Sequence, residues 1–332
     1  MNRVTSILSN NYDLFCLADA LDKIEESFNH TVINTHDHYS SLNNLKEEVV
    51  DTNPEVIIFW GNSAANDASI LLKKEGYTIV HVGAGIRSGS RTSPSEIDRT
   101  VCDLCSDYHF VYHDHYGKNL LKENFKKETI FVTGNPTYQT NKEARDKVTK
   151  TKTPTWFKKR IILNITDPQN INNEQRLSNL IAYAFHCEQE FNTGITFLNS
   201  PEALKQCEQA NIDLPFPEDA RRTLSINETI DYLNLAQLVA QSIFVISDSE
   251  MLAYQAYASE VPVIIPIDYL YESTSFNKSC YTYVDVNELF NPSWKKSLNW
   301  VEKTELNLDW IKNQDAPENI VDSLKIVIEE KQ

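Results

Sequence analysis

From end to end this chain alternates short β-branched apolar runs with helix-length segments, and few folds accept that alternation. Parallel neighbours in a sheet need a crossover of a dozen or more residues, and a helix supplies it while covering the sheet's apolar face. The runs in the first half are Val4–Leu8, Thr31–Asn34, Val56–Phe59, Thr78–Val82, His109–Tyr112 and Ile130–Thr133. Between them, Ala64 to Glu75 stops at Gly76 and predicts a capped helix. Glu96 to Ser106 sets Ile97, Val101, Leu104 and Cys105 on one face, which predicts a helix packed through that face. The stretch KVTKTKTPTWFKKR, Lys147 to Arg160, then interrupts the rhythm with charge and Pro154. Strands resume at Ile161–Ile165, Ile195–Leu198, Phe244–Ser247 and Val263–Pro266, with helices around Glu174–Phe185, Thr229–Ala240 and Glu250–Ser259. The expectation is an α/β chain of two Rossmann-like domains, residues 1–153 and 154–316, each with a parallel sheet, and a ligand cleft between their strand ends. A last helical run, Pro317 to Lys331, is expected to pack back on the first domain.

Charge and composition serve here to exclude. A formal net charge of -16 opposes nucleic acid, whose phosphates demand a basic footprint, and opposes anionic lipid for the same reason. No apolar run reaches the roughly 18 residues of a membrane helix, and the start does not read as a signal peptide, so a cytoplasmic protein with no membrane insertion is expected. Six scattered cysteines then stay as thiols, and the CxxC of Cys102 and Cys105 reads as helix packing in preference to redox or zinc chemistry. His36-Asp37-His38 and the set His109, His113, Asp114 and His115 invite a metal, but a strand residue and two helix-start residues share no focus. No Walker loop, dinucleotide GxGxxG or Ser-His-Asp arrangement can be quoted, so no cofactor and no metal are expected.

The run PEVIIFWGNSAANDASILLKKEGYTIVHVGAGIRSGSRTSPSEIDR, followed by SDYHFVYHDHYGKNLLKENFKKETIFVTGNP, resembles the non-hydrolysing UDP-N-acetylglucosamine 2-epimerase family. HVxAGxRSG, a later Glu-x-x-Arg and FVTGN fall in the family's order between Pro54 and Pro136. Leu224 to Pro266, with VISDSEMLAYQAYASEVPVIIP, looks like the family's second nucleotide loop. The resemblance implies the GT-B architecture of two Rossmann-like domains and interconversion of UDP-N-acetylglucosamine with UDP-N-acetylmannosamine. It also implies a dimer formed through first-domain helices.

That chemistry needs groups to move a proton at C2 and donors to stabilise the departing diphosphate. At the three positions where the resemblance implies acids, this chain has Asn62, Gly83 and Ser95. None is a general base near pH 7, and losing one such group commonly costs about 10²- to 10⁴-fold. Glu96, beside the third position, is the fallback carboxylate, and a first-turn acid is its bland alternative. The phosphate side is altered too. The first loop reads Ser9-Asn10-Asn11-Tyr12-Asp13 without arginine, and Thr166-Asp167-Pro168-Gln169-Asn170 stands where the resemblance implies Thr-His-Arg-Arg-Glu-Asn. Ser247-Asp248-Ser249-Glu250-Met251 replaces Ser-Asp-Ser-Gly-Gly, and Gln255 replaces the ribose acid. Glycines at a helix N-terminus let a phosphate approach the backbone, whereas a carboxylate there repels it. The scaffold residues His81, Arg87 and Arg99 persist, and with Ser247, Ser249 and Gln255 they are the ligand-binding candidates. An equally physical alternative is that Arg87 and Arg99 hold the loop through carbonyls or carboxylates.

Three functions stay open on these residues. The leading one is a divergent family member that lacks C2 epimerisation by the family route and binds a UDP-sugar or an altered sugar ligand. It would act as a homodimer, or as a heterodimer with a paralogue or a glycosyltransferase. The others are a working epimerase-like enzyme with a rearranged site and a GT-B glycosyltransferase.

Overall fold

The computed structural model describes residues 1–8, 11–35, 41–61, 64–87, 94–149, 160–199, 201–212, 222–226, 232–267, 281–306 and 315–331. They divide into two compact units. The first contains the strands β1 (Arg3–Leu8), β2 (Asn29–Asn34), β3 (Val56–Trp60), β4 (Ile79–Val82), β5 (Tyr108–Val111) and β6 (Ile130–Val132). They pair throughout in parallel, in the order β2-β1-β3-β4-β5-β6. Helices α1 (Asn11–Cys16), α2 (Ala18–Ser27), α3 (Leu42–Asp51), α4 (Ala68–Lys74), α5 (Pro94–Cys105) and α6 (Asp114–Lys122) provide the crossovers. A 3-10 turn, Ala64–Asp67, begins the segment expected as one helix from Ala64 to Glu75. Every residue of β3 and β4 is buried, as parallel strands covered on both faces require.

Helix α7 (Pro136–Thr149) carries the chain out of this sheet, and the two units divide inside it, between Thr140 and Asn141. The sequence expectation set the break at residue 153, and residues 150–159 of the charged stretch lie outside the described residues.

The second unit repeats the plan with β7 (Arg160–Ile165), β8 (Gly194–Asn199), β9 (Arg222–Ile226), β10 (Ser242–Ser247), β11 (Val263–Ile267) and β12 (Tyr281–Asp285). The order is β12-β11-β10-β7-β8-β9, again all parallel. Its helices are α8 (Pro168–Ile171), α9 (Glu174–Glu190), α10 (Pro201–Gln209), α11 (Tyr232–Ala240), α12 (Glu250–Ala258) and α13 (Pro292–Lys303). Its core gathers Ile161, Leu163, Phe197, Phe244 and Ile246 from the strands with Leu177, Leu180 and Trp294 from the helices. Strands β9 and β12 were not expected from the sequence, since RTLSI and YTYVD mix polar and apolar residues as edge strands do. The final helix α14 (Ala316–Lys331) packs on α2, and Asn319 Nδ2 donates to the Thr133 carbonyl at 3.1 Å, so it belongs to the first unit.

Both sheets reverse direction beside their first strand, at β1/β3 and at β7/β10, and in open α/β sheets a ligand crevice forms beyond the carboxyl ends at such a switch. The architecture is therefore two parallel-sheet α/β units of the GT-B kind.

Helix α5 departs from expectation. The face of Ile97 and Leu104 is turned to solvent, with 47% and 69% of those residues exposed. Its buried face carries Glu96, Arg99, Cys102 and Asp103. Apolar spacing predicted the opposite orientation; the structure instead turns Asp103 inward to meet His81 of β4 and Gly85, with Cys102 beside it in the apolar core.

Candidate functional site

In the first unit the register sets Phe59 beside His81 and Trp60 beside Val82, so the loops after β3 and β4 emerge as neighbours. Fully buried His81 places Nδ1 2.5 Å from Asp103 Oδ1 and Nε2 2.8 Å from the Gly61 carbonyl oxygen. The same Asp103 accepts the Gly85 N–H at 3.1 Å and Arg87 Nη1 at 2.7 Å through its other oxygen. Arg87 reaches on to Glu123 with two parallel bonds of 2.8 and 2.7 Å. Burial alone would lower the His81 pKa, but the adjoining Cys102 thiol and Asp103 carboxylate hold it well above the usual histidine value. Burial likewise works to raise Asp103, and His81 and Arg87 overcome it, bringing the carboxyl down to about 2. His81 and Arg87 thus make their described bonds to the scaffold.

Residue 83, one of the implied acid positions, is a glycine at φ +91°. A Cβ there would lie 2.9 Å from the Tyr112 hydroxyl and 3.3 Å from Gly61 Cα. The turn after β4 is built on the absence of a side chain. Ser95 falls in the first turn of α5, and Asn62 lies outside the described residues. Glu96 and Arg99 sit on the buried side of the same helix.

In the second unit the register pairs Asn164 with Ser247 across β7 and β10, which brings the two following loops together at the switch point. Asp248 ties them. One of its oxygens accepts the Thr166 N–H at 2.7 Å and the Thr166 hydroxyl at 2.9 Å; the other accepts the Asp167 N–H at 3.1 Å and Asn170 Nδ2 at 2.8 Å. Burial raises the Asp248 pKa, opposed by the bonds from Asn170 and Thr166. Buried Arg176 completes the array by donating Nε and Nη2 to Asn170 Oδ1 at 3.1 and 2.8 Å. Sequence reasoning missed Asp103 and Arg176 as members of these networks, because each meets its partners only after folding.

Ser247 and Ser249 are both internally bonded: the Ser247 hydroxyl donates to Asn164 Oδ1 at 3.0 Å and accepts the Ser249 N–H at 2.9 Å. The Ser249 hydroxyl caps α12 by accepting the Leu252 N–H. Gln255 is fully buried on that helix.

The histidines weighed as metal ligands are placed apart from one another chemically. His109 Nε2 donates to the Asp103 carbonyl at 2.9 Å, and its ring meets Phe125 edge-on. His113 Nδ1 accepts the His115 N–H at the start of α6. His36-Asp37-His38 lies outside the described residues. Among the described residues no group of three or more His, Cys, Asp or Glu could hold a metal ion, and no helix is long and apolar enough to cross a membrane. Cys102 is buried and Cys105 half-buried on α5.

Comparison with known proteins agrees with this architecture. The Methanocaldococcus jannaschii protein named UDP-N-acetylglucosamine 2-epimerase is 25% identical over 229 residues, covering 66% of this chain and 62% of that protein. A Bacillus subtilis protein of the same name is 34% identical over 99 residues, 29% of this chain and 26% of its own length. The chain spans only 61% to 63% of the first curated relatives it matches. A crystal structure of the M. jannaschii UDP-GlcNAc 2-epimerase with UDP-GlcNAc and UDP superposes with a TM-score of 0.86 at 20% identity, covering 98% of this chain and 99% of that one. At that identity the superposition speaks for the fold. The family model described as UDP-N-acetylglucosamine 2-epimerase matches residues 18–266, three quarters of the sequence, and so the chain belongs to the UDP-N-acetylglucosamine 2-epimerase family.

Proposed function

We propose that this family member does not epimerise C2 by the route of its relatives and serves as a sugar-ligand-binding or partner subunit in nucleotide-sugar metabolism. The observation that carries this reading is Gly83. An implied acid is missing there, and the left-handed backbone and the approach of Tyr112 leave no room for a side chain without rearrangement. The second-unit loop supports it: Ser249 caps its own helix, and Asp248 bonds to the loop backbone. The four hydrogen bonds that Asp248 receives hold both of its oxygens to Thr166, Asp167 and Asn170. The buried Glu96 supports the rival reading, an epimerase-like enzyme with a relocated acid.

The dimer belongs to the same proposal. Its support is the outward face of α5 with exposed Ile97 and Leu104, and the exposed Ile70 on α4, the helix against which α5 packs. An apolar face of this kind favours association over solvent.

Incubation with UDP-N-acetylglucosamine in heavy water decides between the readings. No deuterium is expected at C2, and UDP is expected to give no thermal shift. Deuterium at C2 overturns the proposal in favour of the rearranged enzyme, and UDP release that depends on an added acceptor overturns it in favour of a transferase.

A further inference from the structure

Hydrogen bonding at His81 fixes where its protons are. One ring nitrogen faces a backbone carbonyl, which can only accept. The other faces Asp103, which when ionised can only accept as well. A neutral imidazole carries one N–H and cannot serve both partners. Moving the proton to Asp103 is opposed by that residue's second oxygen, which already receives the Arg87 guanidinium and the Gly85 N–H, both of which favour the ionised carboxylate.

We infer that His81 is a buried imidazolium, and that Asp103, by holding it so, is the positioning residue for both loops at the carboxyl edge of β3 and β4. Through His81 it grips the Gly61 carbonyl, which also accepts Asn66 Nδ2 at 3.0 Å. Directly it grips the Gly85 N–H, while the Gly85 carbonyl accepts Asn119 Nδ2 at 3.0 Å. One carboxylate therefore fixes the backbone at Gly61 and at Gly85, the latter two residues past Gly83, an implied acid position.

The groups facing His81 come from each surrounding element. They are Asp103 and Cys102 of α5 and His109 of β5, whose own pKa is lowered by burial, while Arg87 of the loop after β4 acts on the far oxygen of Asp103. Glu123, just beyond α6, faces Arg87. Formal charges on His81 and Arg87 balance those on Asp103 and Glu123, so the cluster is neutral as a whole, which lowers the cost of burying it. Removing the His81 proton abolishes one of the two bonds and releases one loop from the other. The inference stands whether or not C2 chemistry is retained.

The test is two-bond ¹H–¹⁵N correlation on the full chain labelled at histidine nitrogen, with His81 assigned by its loss in His81→Gln. At pH 8 the wild-type His81 signal is expected to show both nitrogens protonated. A neutral ring in the wild type at that pH overturns the inference without recourse to any variant. Asp103→Asn is expected to shift the ring to the neutral form and to accelerate amide exchange around both Gly61 and Gly85 by tenfold or more. Exchange accelerated at only one loop, or at neither, refutes the positioning role. If Asp103→Asn does not fold, Asp103→Glu is the second probe: an imidazolium retained with both loops loosened supports the inference, and unchanged exchange contradicts it.

Discussion

Gly83 and Gly85 carry much of the local geometry after β4. Gly85 lies at φ +77°, and a Cβ on it would overlap the Tyr116 carbonyl oxygen, a backbone atom that cannot turn aside. Gly76, at φ +89°, has nothing within 4 Å of the same position. Gly85→Ala therefore combines left-handed strain with overlap and is expected to cost about 2–4 kcal/mol, against about 1–2 kcal/mol for Gly76→Ala. Urea denaturation of the two variants measures the difference, and equal losses would contradict this account of Gly85. Residues were legible in the sequence in an uneven way. Asn62, Gly83 and Ser95, at positions where the resemblance implies acids, could be read directly, because residue identity needs no coordinates. That Arg87 holds the loop through carboxylates was among the readings of the sequence, but its partners Asp103 and Glu123, and the bond of His81 to Asp103, could not be named from it.

Helix α5 shows how an element can satisfy its periodicity and still be oriented unexpectedly. Glu96, Arg99 and Asp103 recur at helical spacing on the buried side, and Ile97 and Leu104 face outward. Replacing Leu104 by Glu should leave the single chain's stability within about 0.5 kcal/mol, because little intramolecular burial is lost. On the dimer reading, the same change abolishes self-association in sedimentation velocity. A Leu104→Glu protein that still sediments as a dimer places the interface elsewhere. Central strands such as VIIFW were plain in the sequence because burial on both faces demands continuous apolar residues. Edge strands β9 and β12 were not, since one open flank relaxes that demand.

Stability of the whole molecule against pH is set by groups whose pKa values move in opposite directions. Burial brings His30 down to about 4, and its Nε2 lies 2.9 Å from the Ser6 hydroxyl. An unfolded histidine titrates near 6.5, so this contribution is present above that pH and lost as pH falls toward 4. For His81, raised by its partners against burial, the sign reverses: its contribution is complete below about 6.5 and lost as pH rises through the folded value. The urea midpoint should decline from pH 7 to pH 5, less steeply in His30→Gln, and decline again in alkali, less steeply in His81→Gln. Identical slopes in variant and wild type would remove these histidines from the account.

By itself the sequence determined two parallel-sheet α/β units, membership of an epimerase family, and that Asn62, Gly83 and Ser95 stand where the family resemblance implies acids. Those facts reside in periodicity and residue identity, which are local. Tertiary structure alone decided that α5 presents its apolar stripe outward, that Asp103 binds His81, Gly85 and Arg87 together, and that Asp248 joins the loops after β7 and β10. Hydrogen-bond partners separated by 16 to 82 residues are chosen by strand register and helix placement, and no spacing along the chain encodes them.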